Sequence, residues 1–367
     1  MHRQEIAGSL LSSLPLGARI LVIRLRSIGD IVLLTPALRL LKEWRPDLRV
    51  SVLLESRFRE LLENNPDVDE VLGPGDGTGW TKISSRARAV REIRRRGFEL
   101  CMNLHGGPTS SLLAAWSGAR WKAGFEHFRR RGIYQILIPD ARTILNKPVI
   151  HTAEHQASAF FHLGLPRKEI PPARLEVTAA EEAGWRDKRS TLGLPPEIEY
   201  AVLHPTAIYT TKQWAPENFS RLGAHLEREV GLPVIYSCGP GESAVLNAVE
   251  KVASTSLRRL QSPNLRQFAA VLAAARIFVG NDSGPAHMAA ALGRPGVVIF
   301  GSSSSRIWGP WPPKSSWRIV QNNYDCNPCP GDRCYRFERP ECILSITYEQ
   351  VRSAVETVLT ESAQKPR

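Results

Sequence analysis

Short, nearly continuous apolar runs alternate along this chain with longer segments of helical periodicity. Arg19–Leu25 (RILVIRL) is apolar on both faces, as a central strand of a covered parallel sheet must be. Helical spacing follows over Ile31–Trp44, then a strand at Val50–Leu54, a helix at Ser56–Asn64 and a strand at Val68–Leu72. The glycine-rich Gly73–Gly79 leads into a basic helix, Trp80–Arg96, which Gly97 stops. Phe98–Asn103 and Lys122–Phe125 read as strands, with Ser110–Trp116 a helix between them and His151–Leu163 a helix after them.

The proline-rich run Pro166–Arg174 separates this set from a second one. Ala180–Leu192 is helical, Tyr200–His204 a strand, Pro216–Val230 a helix with proline in its first turn, and Pro233–Ser237 a strand. Glu242–Ala253 and Leu265–Ala275 are helical, and Thr347–Glu361 is a last helix. The most informative stretch is Ile277–Trp308. There a buried strand (Ile277–Val279) meets the turn Asn281-Asp282-Ser283-Gly284, a helix over Ala286–Leu292 and a strand over Val297–Phe300. Alternation of this kind predicts doubly wound parallel sheets, one per set. The expected division is 1–170, 171–345 and a terminal segment, 346–367, that packs back on the first half.

With 367 residues, 43% of them hydrophobic, the chain can bury two cores. No apolar run approaches the roughly 18 residues of a spanning helix. The serine-interrupted start reads as a short leading helix, not a signal-peptide core. That points to a reducing, cytoplasmic setting. The net charge of +12 is uneven: residues 1–180 hold 27 Lys and Arg against 18 Asp and Glu. A basic first half favours an anionic partner such as a phosphorylated substrate or an anionic membrane face, with solvated charge as the plain alternative. Nucleic acid fits least, since interleaved aromatics and a recognised module are both missing.

The motifs narrow the chemistry. There is no GxGxxG, Walker A, GxSxG or HExxH sequence. What recurs is a short turn at a helix mouth, where unpaired N–H groups suit an anion such as a diphosphate. Three lie in the second half: around Thr206, at Gly239–Glu242, and at Asp282–Gly284, with His287 one turn inside the helix. Lys212 adds a cation near the same mouth. In the first half, Ser27-Ile28-Gly29-Asp30 follows the first strand, where Asp30 reads either as a helix cap or as a general base. His105-Gly106 follows another strand. Arg129 and Arg130, with Arg120, form a basic cluster able to clamp phosphate. Cys326-x2-Cys329-x4-Cys334-x7-Cys342 raises structural zinc, a cysteine-rich loop or labile disulfides as alternatives.

Taken in order, Ser27-Ile28-Gly29-Asp30, Lys212-Gln213-Trp214-Ala215-Pro216, Gly239-Pro240-Gly241-Glu242 and Asn281-Asp282-Ser283-Gly284-Pro285-Ala286-His287 resemble the lipopolysaccharide heptosyltransferases of glycosyltransferase family nine. The resemblance runs from about Arg19 to Tyr348. It implies a GT-B fold: two Rossmann-like domains facing a central cleft, the acceptor in the first and the donor in the second. It also implies inverting, metal-independent transfer of heptose from an ADP-sugar to a phosphorylated, lipid-linked core saccharide at the inner face of the cytoplasmic membrane. Asp30 would act as base and Lys212 would neutralise the leaving diphosphate. Thr206, Gly239, Glu242, Asp282, Ser283, Gly284 and His287 would hold the donor. Ser27, Gly29, His105, Gly106, Arg120, Arg129 and Arg130 would face the acceptor. The turn HPTAIYTTKQW departs from the family's glycine-rich version. The rival readings are another GT-B enzyme with a different nucleotide sugar, such as a sugar-nucleotide 2-epimerase, and a non-catalytic anion- or membrane-binding protein of the same fold.

Overall fold

A computed structural model describes residues 7–75, 79–311 and 316–364. The first six residues of the expected leading helix and part of Gly73–Gly79 lie outside the described residues. The chain forms two compact units, Met1–Glu176 and Val177–Arg367.

In the first unit six parallel strands run in the order β3-β2-β1-β4-β5-β6. They are β1 (Arg19–Ile23), β2 (Arg49–Leu53), β3 (Glu70–Leu72), β4 (Leu100–Asn103), β5 (Trp121–Phe125) and β6 (Ile136–Ile138). β1 is central because Ile20–Ile23 carry no polar side chain: Ile20 stands beside Val50 on one flank and Leu100 on the other, all three fully buried. The helical pattern read over Ile31–Trp44 is two helices, Ile28–Val32 and Thr35–Trp44. Pro36 has no N–H to continue the first, and Thr35 Oγ1 instead donates to Val32 O at 2.8 Å.

The second unit repeats the plan in the order β12-β11-β10-β7-β8-β9, all parallel. Its strands are β7 (Ala201–His204), β8 (Val234–Cys238), β9 (Arg258–Gln261), β10 (Ile277–Asn281), β11 (Gly296–Phe300) and β12 (Trp317–Gln321). Trp214, Phe219, Leu222, Leu226 and Val234 fill one side of this sheet. The C-terminal helix Tyr348–Ala363 adds Val351, Val355 and Val358 to that same core. Its apolar face is therefore spent on the second unit's core.

Chain order reverses beside β1 and β4 in the first sheet, and beside β7 and β10 in the second. Such a reversal sends the following loops to opposite faces and opens a crevice at the carboxyl ends of the strands, where open α/β sheets hold ligands.

Candidate functional site

In the second unit the loops leaving β7, β8, β10 and β11 share one sheet edge. Two polar sets form there. In the first, Glu242 Oε2 accepts from Thr206 Oγ1 at 2.7 Å and from Gly239 N at 2.8 Å. A Cβ on Gly239 would stand 2.9 Å from that oxygen, so a side chain there would push the Glu242 carboxylate off the turn. Behind Thr206, His204 bonds Thr206 Oγ1 through Nε2 (2.8 Å) and Ser237 Oγ through Nδ1 (2.9 Å). Burial pushes the His204 imidazole down to about 4 against the opposing charge of Glu242. The ring is neutral at pH 7, with one nitrogen donating and the other accepting.

In the second set, Lys212 Nζ donates to Asp282 Oδ2 at 2.7 Å, and Ser303 Oγ donates to the same oxygen. Asn281, fully buried at the end of β10, joins the two sets. Its Nδ2 donates to Pro205 O (2.8 Å), beside Thr206, and its Oδ1 accepts from Trp214 N (3.1 Å), two residues past Lys212. Ser283 begins the helix Gly284–Ala291, yet its Oγ bonds Asn281 O at 3.2 Å and does not cap the helix. Pro285 sits in the first turn, and His287 is buried one turn inside. The first helical N–H groups stay directed at the crevice, as an anion site requires. The structure thus brings Thr206, Lys212, Gly239, Glu242, Asp282, Ser283, Gly284 and His287 to one edge.

In the first unit Asp30 lies in the first turn of Ile28–Val32, just past β1. Its Oδ2 accepts from Ser27 N (3.2 Å) and Ser27 Oγ (3.1 Å), its Oδ1 pairs with Arg24 Nη2, and its carbonyl accepts from Gln156 Nε2 at 2.8 Å. Gly29 is buried in the same turn. At the neighbouring end of β4, Asn103 Oδ1 accepts from His105 N (3.0 Å) and Gly106 N (3.4 Å), while its Nδ2 donates to Tyr134 OH at 2.7 Å. The His155 ring stacks on Phe125, at the end of β5, with centroids 4.2 Å apart. Burial, assisted by the Arg24 charge, pushes His105 down and His155 down to about 4, so both are neutral at pH 7.

The three arginines of the expected clamp are divided. Arg129 and Arg130 are exposed after the carboxyl end of β5, on the Asp30 side. Arg120 is exposed before the amino end of β5, and its N–H bonds Phe98 O at the start of the neighbouring strand. A five-residue strand spans about 16 Å, so Arg120 does not belong to the same phosphate clamp. Cys326, Cys329, Cys334 and Cys342 are free thiols beside a cavity of about 310 Å³. Burial, with the neighbouring Cys329, Cys326 and Cys334, raises the Cys342 thiol to about 11. Among the described residues no group of three or more His, Cys, Asp or Glu is disposed to hold a metal ion, and the zinc reading gains no support.

Sequence reasoning passed over Arg24, His204, Ser237, Asn281 and Ser303 as site residues. Each of the first four sits in or directly after a strand, where a polar residue at the carboxyl end was the available signal.

Residues 86–336 match the model of glycosyltransferase family 9 (heptosyltransferase). Lipopolysaccharide heptosyltransferase 3 of Escherichia coli K12 is 27% identical over 348 residues, covering 91% of this chain and 96% of that protein. The structure of Escherichia coli ADP-heptose lps heptosyltransferase II aligns with a TM-score of 0.76 at 20% identity over 94% of this chain and 99% of the other. Escherichia coli heptosyltransferase WaaC with ADP-2-deoxy-2-fluoro heptose aligns at 0.67 and 18% identity over 92% and 99%. The two-unit α/β architecture is the GT-B fold.

Proposed function

Since the chain belongs to glycosyltransferase family 9, we propose that it transfers a heptose from an ADP-sugar to a lipid-linked, phosphorylated lipopolysaccharide core acceptor, with inversion and without a metal. The observation that carries this reading is the pair of polar sets around β7 and β10. Helix N–H groups and Lys212 supply positive charge for a leaving diphosphate. Glu242, with only Oε2 engaged by Thr206 and Gly239 in the described hydrogen bonds, presents a carboxylate to a ribose hydroxyl. Two relatives whose names carry ADP-heptose or an ADP-heptose analogue support the choice of donor.

In the first unit Asp30 is the base. It takes the proton of the acceptor hydroxyl as that oxygen bonds the anomeric carbon, and the carbon–diphosphate bond breaks with its electrons leaving on the nucleotide. Arg129 and Arg130, exposed on the same side, suit an acceptor phosphate or an anionic leaflet. No helix among the described residues is long and apolar enough to cross a membrane, so contact with the leaflet would be peripheral.

The test is a donor screen read by nucleotide release with lipopolysaccharide core acceptors. ADP-heptose should give release that depends on acceptor, and ADP should raise the melting temperature. Release with UDP- or GDP-sugars alone would overturn the donor assignment.

A further inference from the structure

We propose that Arg24 is a positioning residue for proton abstraction: its guanidinium ties Asp30 Oδ1 inward and so turns Asp30 Oδ2 toward the acceptor hydroxyl. This rests on the reading of Asp30 as base.

Arg24 is the first residue past β1, and its own N–H is fixed to Leu53 O at the end of β2 (3.2 Å). One prong of the guanidinium, Nη1, donates to Leu104 O at the end of β4 (2.5 Å), and the other, Nη2, meets Asp30 Oδ1. The two side chains are only 13% and 14% exposed, and Oδ1 itself is buried. The planar fork therefore spans the switch point between β1 and β4, with the carbonyl of one strand end and the carboxylate of the other at fixed spacing. Gln156 holds the Asp30 backbone from the helix Thr152–His162. Side chain and main chain are thus both anchored, and one oxygen remains presentable.

That oxygen is Oδ2. Its contacts, Ser27 N and Ser27 Oγ at 3.2 and 3.1 Å, are long, and Ser27 is exposed. A substrate hydroxyl can displace the serine hydroxyl at little cost, whereas displacing Arg24 would leave a half-buried cation unpaired. His105 and His155 stand near and are neutral, so the pairing charge for the carboxylate comes from Arg24. Holding a reacting atom within hydrogen-bond reach of its proton is worth orders of magnitude in rate.

The experiment is a double-mutant cycle of Arg24→Gln and Asp30→Asn, with Arg24→Lys and Arg24→Ala beside it. Each full-length protein is assayed by nucleotide release with ADP-heptose and a lipopolysaccharide core acceptor. R24Q should lower kcat roughly 100-fold, within the range of general-base effects, with the donor KM near wild type, and should lower the melting temperature because the buried Asp30 Oδ1 loses its counter-charge. In the D30N background the same change should cost less than about threefold, because the residue it positions is gone. R24K, which keeps the charge and loses the fork, should recover about tenfold over R24Q, and millimolar methylguanidinium should restore turnover to R24A. Equal losses in the wild-type and D30N backgrounds would overturn the proposal, as would a wild-type kcat in R24K. If R24Q loses its cooperative melt, the R24K and R24A measurements decide the matter. Retention of more than about a tenth of the turnover by D30N would instead sink the base assignment itself.

Discussion

Lys212 and Asp282, seventy residues apart in sequence, meet at 2.7 Å across the loops that follow β7 and β10. The lysine is 22% exposed and the aspartate 7%, so the ammonium faces the crevice with its counter-charge behind it. A diphosphate arriving there meets a cation already in place. Lys212→Met should lower kcat by roughly 100-fold, the usual loss on removing one group that stabilises developing negative charge. Steady-state kinetics check this. A kcat within threefold of wild type would remove Lys212 from the leaving-group role.

Asn281 holds the Thr206 turn with one amide atom and the Lys212 turn with the other. Asn281→Ala leaves Pro205 C=O and Trp214 N–H without these partners, at about 1–3 kcal/mol each if they stay dry. The melting temperature should fall, and the donor KM should rise in the protein that remains folded. Asn281→Asp should keep the bond from Trp214 N and lose the one to Pro205 O. Thermal melts with and without ADP separate the two effects.

Gly301 follows β11 directly beneath the Lys212 turn. A Cβ there would stand 2.2 Å from Thr211 O and 2.9 Å from the Ile343 side chain. The backbone contact cannot yield by a rotamer change, so Gly301→Ala must push the Thr210–Lys212 turn outward. The expected cost is about 1–3 kcal/mol, the range for overpacking, with kcat reduced even though no reacting group is altered. Wild-type kinetics for this variant would show that the turn tolerates displacement.

Acid should weaken the fold through His204. Its folded value of about 4 lies below the ordinary 6.5, so the unfolded chain takes up the proton first. The sign follows from linkage: this contribution is whole above pH 6.5 and is lost as pH falls toward 4, the loss amounting to about 3 kcal/mol by then. His155 acts in the same direction in the first unit. Urea midpoints measured between pH 7 and pH 4 should fall, and His204→Asn should flatten the slope. An unchanged slope in that variant would assign the acid sensitivity elsewhere.

The central strands could be read directly from the sequence because burial on both faces demands apolar residues at every position, as in Ile20–Ile23 and Ile277–Val279. Three of the four edge strands could not, β3 being the exception. β6, β9 and β12 each expose part of themselves, and Arg258, Arg259 and Arg318 interrupt the apolar signal that marks the strands inside. The helix mouths were visible as glycine and proline punctuation, which is why the turns at Gly239–Glu242 and Asp282–Gly284 could be placed at strand ends. Arg24 and His204 were not, because a polar residue at a strand end looks like the start of a loop until a partner appears from another strand. Arg120 was misplaced for want of strand direction: eight residues separate it from Arg129, and those residues include the full length of β5.

The parallel strands give each unit a working rim and a rim with no assigned role. Arg120 in one unit and Glu197 in the other are exposed at the amino ends of the strands, remote from the crevices in their own sheets. These are the positions at which to attach a surface tether, a bulky label or an affinity tag, since an added mass there lies at the opposite end of its own sheet from the crevice in that sheet.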